Sequence, residues 1–364
     1  TGVDLVEKMI RVAAGEPLGM SQDDVKLTGW AIESRLYAED PYRNFLPSIG
    51  RLTRYRPPEE GVRTDATILR NDTGVYEGGE ISMYYDPMIA KLCTWAPDRL
   101  SAIDAMAQAL DDFEVDGIGH NLPFLSAVMG HERFRSGNIT TAFIAEEFPD
   151  GFHGVEPDAG QLHDLAAIAV ALQVVREERA TQTSGTMENH KRKLGADWVV
   201  SQMTDSFAAH VAHDGATLMV ALDGKAAQTL TSDWRPGQPL AKFTVDGRKL
   251  SVKVSFNGSH LRLRHRGMDL NMTVRRPRVA ELAELMPVKV AKDTSRMLLC
   301  PMPGLVRAIL VNVGDIVEAG QALAMVEAMK MENVLRAERK AVVKRIAAVT
   351  GASLAVDELI MEFE

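Results

Sequence analysis

The C-terminal part of the sequence carries one pattern twice. Gly304–Val317 aligns with Ala341–Leu354, and further along Ala322–Val326 aligns with Leu359–Phe363. Short apolar runs separated by glycine turns, when repeated once, are typical of two similar halves that share a single core. The repeat therefore predicts a flattened β-barrel of two halves for this end of the chain.

A lysine lies between the two halves of the repeat. The linking segment is Val326–Val334, in which Met329 and Met331 flank Lys330. A lysine near the turn that joins the halves lies far from the core, where a modifying enzyme can reach it, and flexible methionines suit contact with a partner. For a lone lysine, a solvated turn residue with methionines as core filler is the simpler interpretation. The position at the centre of a repeat favours the functional one.

The hydrophobic period changes to two between Trp198 and Arg275. Pairs of Asp or Asn with Gly separate the alternating runs and predict tight hairpin turns at Asp214, Asp223, Asp246 and Asn257. An antiparallel meander of this length predicts a closed or nearly closed small barrel, because an open one would leave unpaired edges. The arginines of one alternating run are predicted to be its solvated face: Arg262, Arg264 and Arg266.

Two further regions precede the barrel. The segment Gly160–Ala180 predicts one long helix with one apolar stripe, formed by Leu162, Leu165, Ile168, Leu172 and Val175. Residues 1–150 mix helical and strand patterns and predict an α+β segment. We therefore expect a multidomain α+β and all-β chain, with domains at 1–151, 152–290 and 291–364.

Composition excludes several classes of function. The formal net charge of −9 gives no broad basic field for nucleic acid or an anionic membrane. Two cysteines form neither a disulfide framework nor a metal quartet, which fits a reducing compartment. No apolar stretch approaches the ~20 residues of a membrane span. His210 and His213 do not predict a metal site, because no acidic or thiol partner is evident beside them.

Two motifs of the C-terminal unit are similar to those of biotin carrier domains. They are Ala328-Met-Lys-Met331 and Cys300-Pro-Met-Pro-Gly304. Lipoyl domains share the fold and are the alternative, but acidic and small residues typically flank their lysine. The resemblance implies covalent biotin on Lys330, with Met329 and Met331 beside it at the biotin site.

Five segments resemble, in the same order, the C-terminal subdomain of biotin carboxylases: Gly29–Pro41, Phe45–Gly50, Gly61–Arg63, Tyr85–Lys91 and Asp116–Asn121. The resemblance implies a catalytic role for Arg35. A fixed guanidinium would stabilise the negative charge that forms on the ureido oxygen of biotin when the ureido nitrogen loses its proton. The alternative is a structural ion pair of Arg35 with Glu33 or Glu39.

The nucleotide-binding machinery of that family is not evident in this sequence. The family holds ATP with a glycine-rich loop, a lysine and acidic Mg²⁺ ligands upstream of such a block. The stretch Gly74–Gly79 is turn-like and does not lead into a helix pattern. The resemblance therefore implies that ATP, Mg²⁺ and bicarbonate bind to an upstream ATP-grasp part, and that this chain alone is inactive.

The order of the three units resembles α-subunits of biotin-dependent acyl-CoA carboxylases. Tyr37–Tyr42 and Phe148–Phe152 look closest to the subunits that serve propionyl-CoA. The resemblance implies that the helix and barrel dock onto a carboxyltransferase β-subunit, which binds propionyl-CoA, within a hetero-oligomer. It also implies modification by biotin protein ligase, in the bacterial cytoplasm or the mitochondrial matrix. The alternatives are a 3-methylcrotonyl-CoA or other short-chain enzyme, or a non-catalytic carrier and assembly module.

Overall fold

The computed structural model describes residues 1–63, 66–183, 193–203, 205–214, 217–287, 296–328 and 331–364. Within them the fold class that the sequence predicts is confirmed. An α+β block is followed by a long helix, a closed eight-stranded barrel and a smaller unit of two four-stranded sheets.

The described residues of the first block form five α-helices, two short 3₁₀ helices (Gln22–Asp24 and Pro41–Arg43) and ten strands. Its main sheet has the strand order β1-β9-β7-β6, and the pairs β2/β3, β4/β8 and β5/β10 surround it. Strand β9 lies inside this sheet and is the most deeply buried of them, and helix α2 packs across β9 and β1. The helices are α1 (Leu5–Ala13), α2 (Arg99–Asp112), α3 (Leu122–Gly130), α4 (Glu132–Ser136) and α5 (Phe143–Glu147). The strands are β1 (Trp30–Tyr37), β2 (Glu39–Asp40), β3 (Leu46–Pro47), β4 (Gly50–Arg51), β5 (Arg54–Arg56), β6 (Gly61–Val62), β7 (Ile68–Thr73), β8 (Glu80–Ile81), β9 (Met88–Ala96) and β10 (Glu114–Asp116).

The predicted helix of the middle region is α6 (Ala159–Thr181), and a capping box between Asp158 and Gln161 begins it. The predicted barrel is also confirmed, and pairing between its first and last strands closes it. Each strand is antiparallel to its neighbours. The strands are β11 (Asp197–Gln202), β12 (Asp205–Asp214), β13 (Thr217–Leu222), β14 (Gln228–Ser232), β15 (Leu240–Val245), β16 (Arg248–Asn257), β17 (His260–His265) and β18 (Met268–Arg275).

The prediction that the apolar residues of helix α6 form one stripe is wrong. All nine residues from Asp164 to Leu172 are buried, and strands β11 to β14, β17 and β18 contact the helix. The one charged residue of this stretch, Asp164, accepts from Gln228 Nε2 at 2.6 Å and lies 2.8 Å from Arg248 Nη1. The helix is therefore the centre of the barrel core, with its buried charge paired.

We expect the enclosed helix to dominate the stability of the barrel. Ile168 is 0% exposed in the shared core of helix and barrel, so Ile168→Ala should lower the free energy of unfolding by about 2–5 kcal/mol through lost burial and the cavity left behind. Urea denaturation measures this loss. Leu282→Ala, at a half-exposed residue of the following helix, is the control and should change the stability by about 0.5 kcal/mol or less. Equal losses in the two variants would contradict the enclosed helix.

Basic side chains of the barrel meet acidic side chains of the first block. Arg266 Nε lies 2.7 Å from Asp111 Oδ2, and Arg264 Nη2 lies 3.5 Å from Asp116 Oδ1. Lys253 Nζ donates to a backbone carbonyl oxygen in the last turn of α2 at 2.7 Å. The prediction of a solvated arginine face is therefore wrong for Arg264 and Arg266, because alternation identifies the outward face of a strand but not what covers it.

The C-terminal unit confirms the two-fold repeat. Helix α7 (Pro277–Ala283) precedes it, and its sheets have the orders β23-β22-β20-β25 and β19-β26-β24-β21. Strands from equivalent halves occupy equivalent places, since β20, β22 and β25 of one sheet correspond to β24, β26 and β21 of the other. The strands are β19 (Met297–Leu299), β20 (Gly304–Ile309), β21 (Ile316–Val317), β22 (Ala322–Ala328), β23 (Met331–Arg336), β24 (Ala341–Ile346), β25 (Ser353–Leu354) and β26 (Leu359–Phe363).

The division into three domains stays a prediction. Phe152 is buried in the core of the first block, and Val155 contacts the cores of both the first block and the barrel. The passage between these two units is thus packed against both of them.

Candidate functional site

Strand β1 presents Arg35 on the outer face of the main sheet of the first block. Side chains alternate along a strand, so Ser34 and Leu36 point into the core while Glu33, Arg35 and Tyr37 share the opposite face. Strand β9 pairs with β1 along one side and places Lys91 opposite Arg35. The candidate residue therefore lies on the outward face of β1, and β9 pairs with this strand on one side.

Arg35 borders a pocket of about 530 Å³ between β1 and helices α3 and α5. Its charged lining residues are Glu33, Arg35 and Glu39, and burial, followed by the nearby Asp86, raises the pKa of Glu39. The rest of the wall is largely apolar and includes Phe45, Phe124, Val128, Phe134, Phe143 and Ile144. A largely apolar cavity edged by one cation and two carboxylates can hold a compact ring that carries one carbonyl oxygen and N–H donors, as the ureido ring of biotin does.

The ion pair considered for Arg35 is present. Its Nε lies 2.9 Å from Glu33 Oε1, and hydrogen bonds to Glu33 and then Tyr37 raise the pKa of the guanidinium. The partner is Glu33 rather than Glu39. A guanidinium has further N–H donors beyond Nε, and half of the Arg35 side chain is exposed. The ion pair with Glu33 therefore orients the guanidinium and leaves its other N–H groups available to a ligand.

Asn121 is a residue of this site to which the sequence analysis assigned no role. Its Oδ1 accepts from the Tyr37 amide at 2.9 Å, and its Nδ2 donates to the Arg35 carbonyl oxygen at 3.1 Å. It also lines the pocket. The signal available in the sequence was its position at the end of the segment Asp116–Asn121, but nothing in that segment indicates which strand the amide contacts.

The neighbouring His120 is buried between the first block and the barrel. Burial, and then the positive charges of Arg264 and Lys253, lower the pKa of His120 to about 3. In the unfolded chain His120 binds a proton near pH 6.5, whereas in the folded chain it binds one only near pH 3. The contribution of neutral His120 to the free energy of unfolding is therefore fully present above pH 6.5 and decreases as the pH falls from 6.5 to about 3.

We expect acid to destabilise the first block through His120. Between pH 7 and pH 5 this residue alone should cost about 2 kcal/mol of unfolding free energy, and His120→Gln should remove that dependence. Urea titrations at the two pH values, followed by tryptophan fluorescence, measure it. His153→Gln, which removes an exposed histidine of the same region, is the control and should leave the slope unchanged. An unchanged slope in His120→Gln would contradict this assignment.

In the C-terminal unit, residues 296–364, Lys330 lies in the sequence between two paired strands. Ala328 at the end of β22 pairs with Met331 at the start of β23, and Met329 and Lys330 join them. Met329 and Lys330 lie outside the described residues, and of Met331 only the backbone is described. Beside this hairpin, a Cβ on Gly304 would come within 2.7 Å of Glu327 O, so the close approach of β20 to β22 requires glycine there.

The C-terminal unit contacts the first block near the Arg35 pocket. Leu46 packs against the core of the C-terminal unit, and Arg43 Nη2 lies 4.0 Å from Asp357 Oδ1. Phe45, next to Leu46 in sequence, lines the pocket. Cys300 is buried in the core of the C-terminal unit. Its thiol donates to the Met302 carbonyl oxygen at 3.0 Å, and burial raises the pKa of the thiol.

His210 and His213 do have acidic neighbours, which the sequence did not indicate. His210 Nδ1 lies 2.8 Å from Asp197 Oδ1, and His213 Nε2 lies 3.1 Å from Glu178 Oε1. Across the described ranges, no three such side chains gather as metal ligands would. None of the described helices is both long enough and apolar enough to cross a membrane.

Three family models match successive parts of the chain. The biotin carboxylase C-terminal domain matches residues 33–146, the propionyl-coenzyme A carboxylase BT domain matches 165–289, and the model described as biotin-requiring enzyme matches 297–363. They follow one another in the order that the sequence analysis expected.

Curated relatives match the whole chain. A propionyl-CoA carboxylase alpha chain of Ruegeria pomeroyi is 60% identical over all of this chain and 56% of its own length. The human mitochondrial propionyl-CoA carboxylase alpha chain is 39% identical, with all of this chain and 50% of its own length covered. The mouse methylcrotonoyl-CoA carboxylase subunit alpha is 30% identical over all of this chain and 51% of its own length. The chain thus spans about half the length of the curated relatives it matches, and it belongs to the propionyl-CoA carboxylase alpha chain family of biotin-dependent carboxylases.

Proposed function

We propose that this chain works as part of a propionyl-CoA carboxylase α chain. The whole protein would carboxylate biotin with ATP and bicarbonate and then transfer the carboxyl group to propionyl-CoA, giving methylmalonyl-CoA. The observation that carries the proposal is the 60% identity to such an α chain along all 364 residues. For this reaction the chain itself would supply the Arg35 pocket and the hairpin of β22 and β23, between which Lys330 lies in the sequence.

Arg35 would act on the first half-reaction. Its guanidinium, held by Glu33, offers a fixed positive charge at the edge of an apolar pocket. Such a cation stabilises negative charge on a ureido oxygen placed beside it. ATP, Mg²⁺ and bicarbonate would bind to residues outside these 364, and we expect this chain alone to lack carboxylase activity.

Lys330 would be the attachment residue. Biotin, once attached, supplies a ureido nitrogen that takes up the carboxyl group at one site and gives it up at another. Amide formation would remove the charge of the lysine, which in the sequence lies between the paired ends of β22 and β23. A tethered group reaches each site at a high effective concentration, so no free encounter is required.

The helix and barrel would dock onto a carboxyltransferase β-subunit, which would bind the acyl-CoA. The match to the BT domain of propionyl-coenzyme A carboxylase supports this role, and α6 in the barrel core gives that surface a rigid frame. The assembly would be a hetero-oligomer, and a biotin protein ligase would modify Lys330 beforehand.

The acyl-CoA specificity is tested with the full-length α chain and its β-subunit. Incorporation of labelled bicarbonate is compared between propionyl-CoA and 3-methylcrotonyl-CoA. We expect propionyl-CoA to be carboxylated much faster, in line with 60% against 30% identity to the two kinds of relative. Preference for 3-methylcrotonyl-CoA would reassign the substrate, and the absence of any carboxylation would leave a carrier and assembly module.

A further inference from the structure

We infer that Asn121 is a positioning residue that fixes the backbone on which Arg35 stands. The inference rests on the proposed role of Arg35 in carboxylating biotin. It concerns a residue that need not touch biotin, because Asn121 would act through the strand that carries the cation.

Asn121 completes the outer edge of β1 at the place where Arg35 lies. Strand β9 pairs with one side of β1, and β1 is the edge strand of its sheet. On the free side, Asn121 makes three hydrogen bonds: Oδ1 accepts from Tyr37 N at 2.9 Å, Nδ2 donates to Arg35 O at 3.1 Å, and Asn121 N donates to Tyr37 O at 3.2 Å. One residue thus replaces the neighbouring strand that β1 lacks on this side.

The register of the sheet explains why this place needs support. The pairing between β1 and β9 shifts between Leu36 and Tyr37, one residue beyond Arg35. An irregularity of this kind weakens the ladder and redirects the side chains beside it. Asn121 therefore binds the strand where β9 holds it least regularly.

The side chain of Asn121 is diverted from its usual task. Asn121 is the N-cap of α3, a position where asparagine ordinarily accepts from the backbone of the first helical turn, worth about 1 kcal/mol. Here the side chain makes no capping hydrogen bond and contacts β1 instead. Helix α3 therefore lacks a side-chain cap, because the Asn121 side chain binds β1 beside Arg35 instead.

The segment that carries Asn121 is itself held firmly. Gly117 has φ +105°, and a Cβ there would collide with the Arg51 carbonyl oxygen. Gly119 N donates to Ser48 Oγ at 2.8 Å, and His120 is buried. A rigid loop is a suitable reference for Arg35, because an anchor that moved would not fix the strand.

Only an amide of this length matches the strand edge. The carbonyl oxygen of one residue and the amide of the residue two further on point to the same side, so the partner must offer a donor and an acceptor together. Aspartate keeps the acceptor for Tyr37 but sets a carboxylate oxygen against the Arg35 carbonyl. Alanine removes both bonds.

The test compares Asn121→Ala and Asn121→Asp with Asn71→Ala in the full-length α chain. Asn71 is a matched control, because it is a buried asparagine of the same block whose Nδ2 donates to Tyr55 Oη at 3.2 Å, and it does not line the Arg35 pocket. Arg35→Ala serves as the reference for loss of the cation. The readouts are amide hydrogen exchange of the peptide that contains β1, and ATP hydrolysis stimulated by free biotin.

We expect exchange in the β1 peptide to accelerate about tenfold or more in both Asn121 variants and to stay unchanged in Asn71→Ala. The kcat of biotin-stimulated ATP hydrolysis should fall about 10–100-fold with little change in KM for free biotin, because a displaced cation weakens the transition state more than binding. Retained kcat in Asn121→Ala, or an equal loss in Asn71→Ala, would overturn the inference. So would loss of folded protein in both Asn121 variants with Asn71→Ala intact. Full activity of Arg35→Ala would instead remove the proposed function on which the inference rests.

Discussion

Replacing Lys330 with arginine should abolish biotin attachment and, with it, the proposed carboxylation of propionyl-CoA by the complete enzyme. Arginine keeps the positive charge and nearly the length of lysine, so the carrier fold is expected to remain intact. Its delocalised guanidinium stays protonated and cannot form the amide that the ligase makes. Streptavidin blotting of the purified full-length chain and incorporation of labelled bicarbonate measure the two losses.

Lys344→Arg is the matched control for this variant. Lys344 is an exposed lysine on β24, in the second half of the same repeat, and should leave both attachment and activity unchanged. Persistent biotin in Lys330→Arg would contradict the assignment of the attachment residue, whatever the activity shows.

Replacing Arg35 with alanine should lower the rate of biotin carboxylation by about 10²–10³-fold, which is the usual effect of removing one electrostatic donor from an oxyanion-stabilising site. Glu33 would then lack its partner at 2.9 Å and add an uncompensated negative charge beside the pocket. Arg35→Lys should recover only part of the rate, since an ammonium lacks the planar fork of a guanidinium. The measurement is free-biotin carboxylation by the full-length α chain.

Arg70→Ala is the control for Arg35→Ala. Arg70 lies on β7 of the same sheet and pairs with Asp72, two residues on, at 2.9 Å, the same spacing and distance as the Glu33–Arg35 pair. It does not line the pocket. A similar loss in both variants would point to the charge of the sheet face as a whole, and an unaffected Arg35→Ala would remove Arg35 from the reaction.

Patterns within a few residues predicted most of the architecture. The repeat Gly304–Val317 and Ala341–Leu354 became the equivalent strands β20 and β24, and the alternation from Trp198 to Arg275 became a closed barrel. These features are local, because strand alternation and glycine turns are properties of the chain itself. The Glu33–Arg35 pair was foreseen as an alternative role for the same reason, since residues two apart share one face of a strand.

Features that depend on distant segments were missed. The sequence of α6 shows a stripe, but the barrel closes around the helix and buries its other faces too. Small side chains allow the strands to approach the helix on all sides, and the sequence contains them at Ala166, Ala167, Ala169 and Ala171. Asp111 and Arg266 are 155 residues apart in sequence, yet the Arg266 amide donates a hydrogen bond to Asp111 Oδ1. Likewise, the contact of Asn121 with Arg35 joins segments 86 residues apart, and no periodicity can indicate it.

The most direct test of the account is peptide mapping of the protein purified from cells with an active biotin ligase. Trypsin does not cut after an acylated lysine, so attachment at Lys330 predicts one uncut peptide, Ala308–Arg336, that carries the mass of a biotinyl group. Cleavage after Lys330, giving Ala308–Lys330 and Met331–Arg336 with no added mass, would contradict the account. A lipoyl mass on the uncut peptide would contradict it as well.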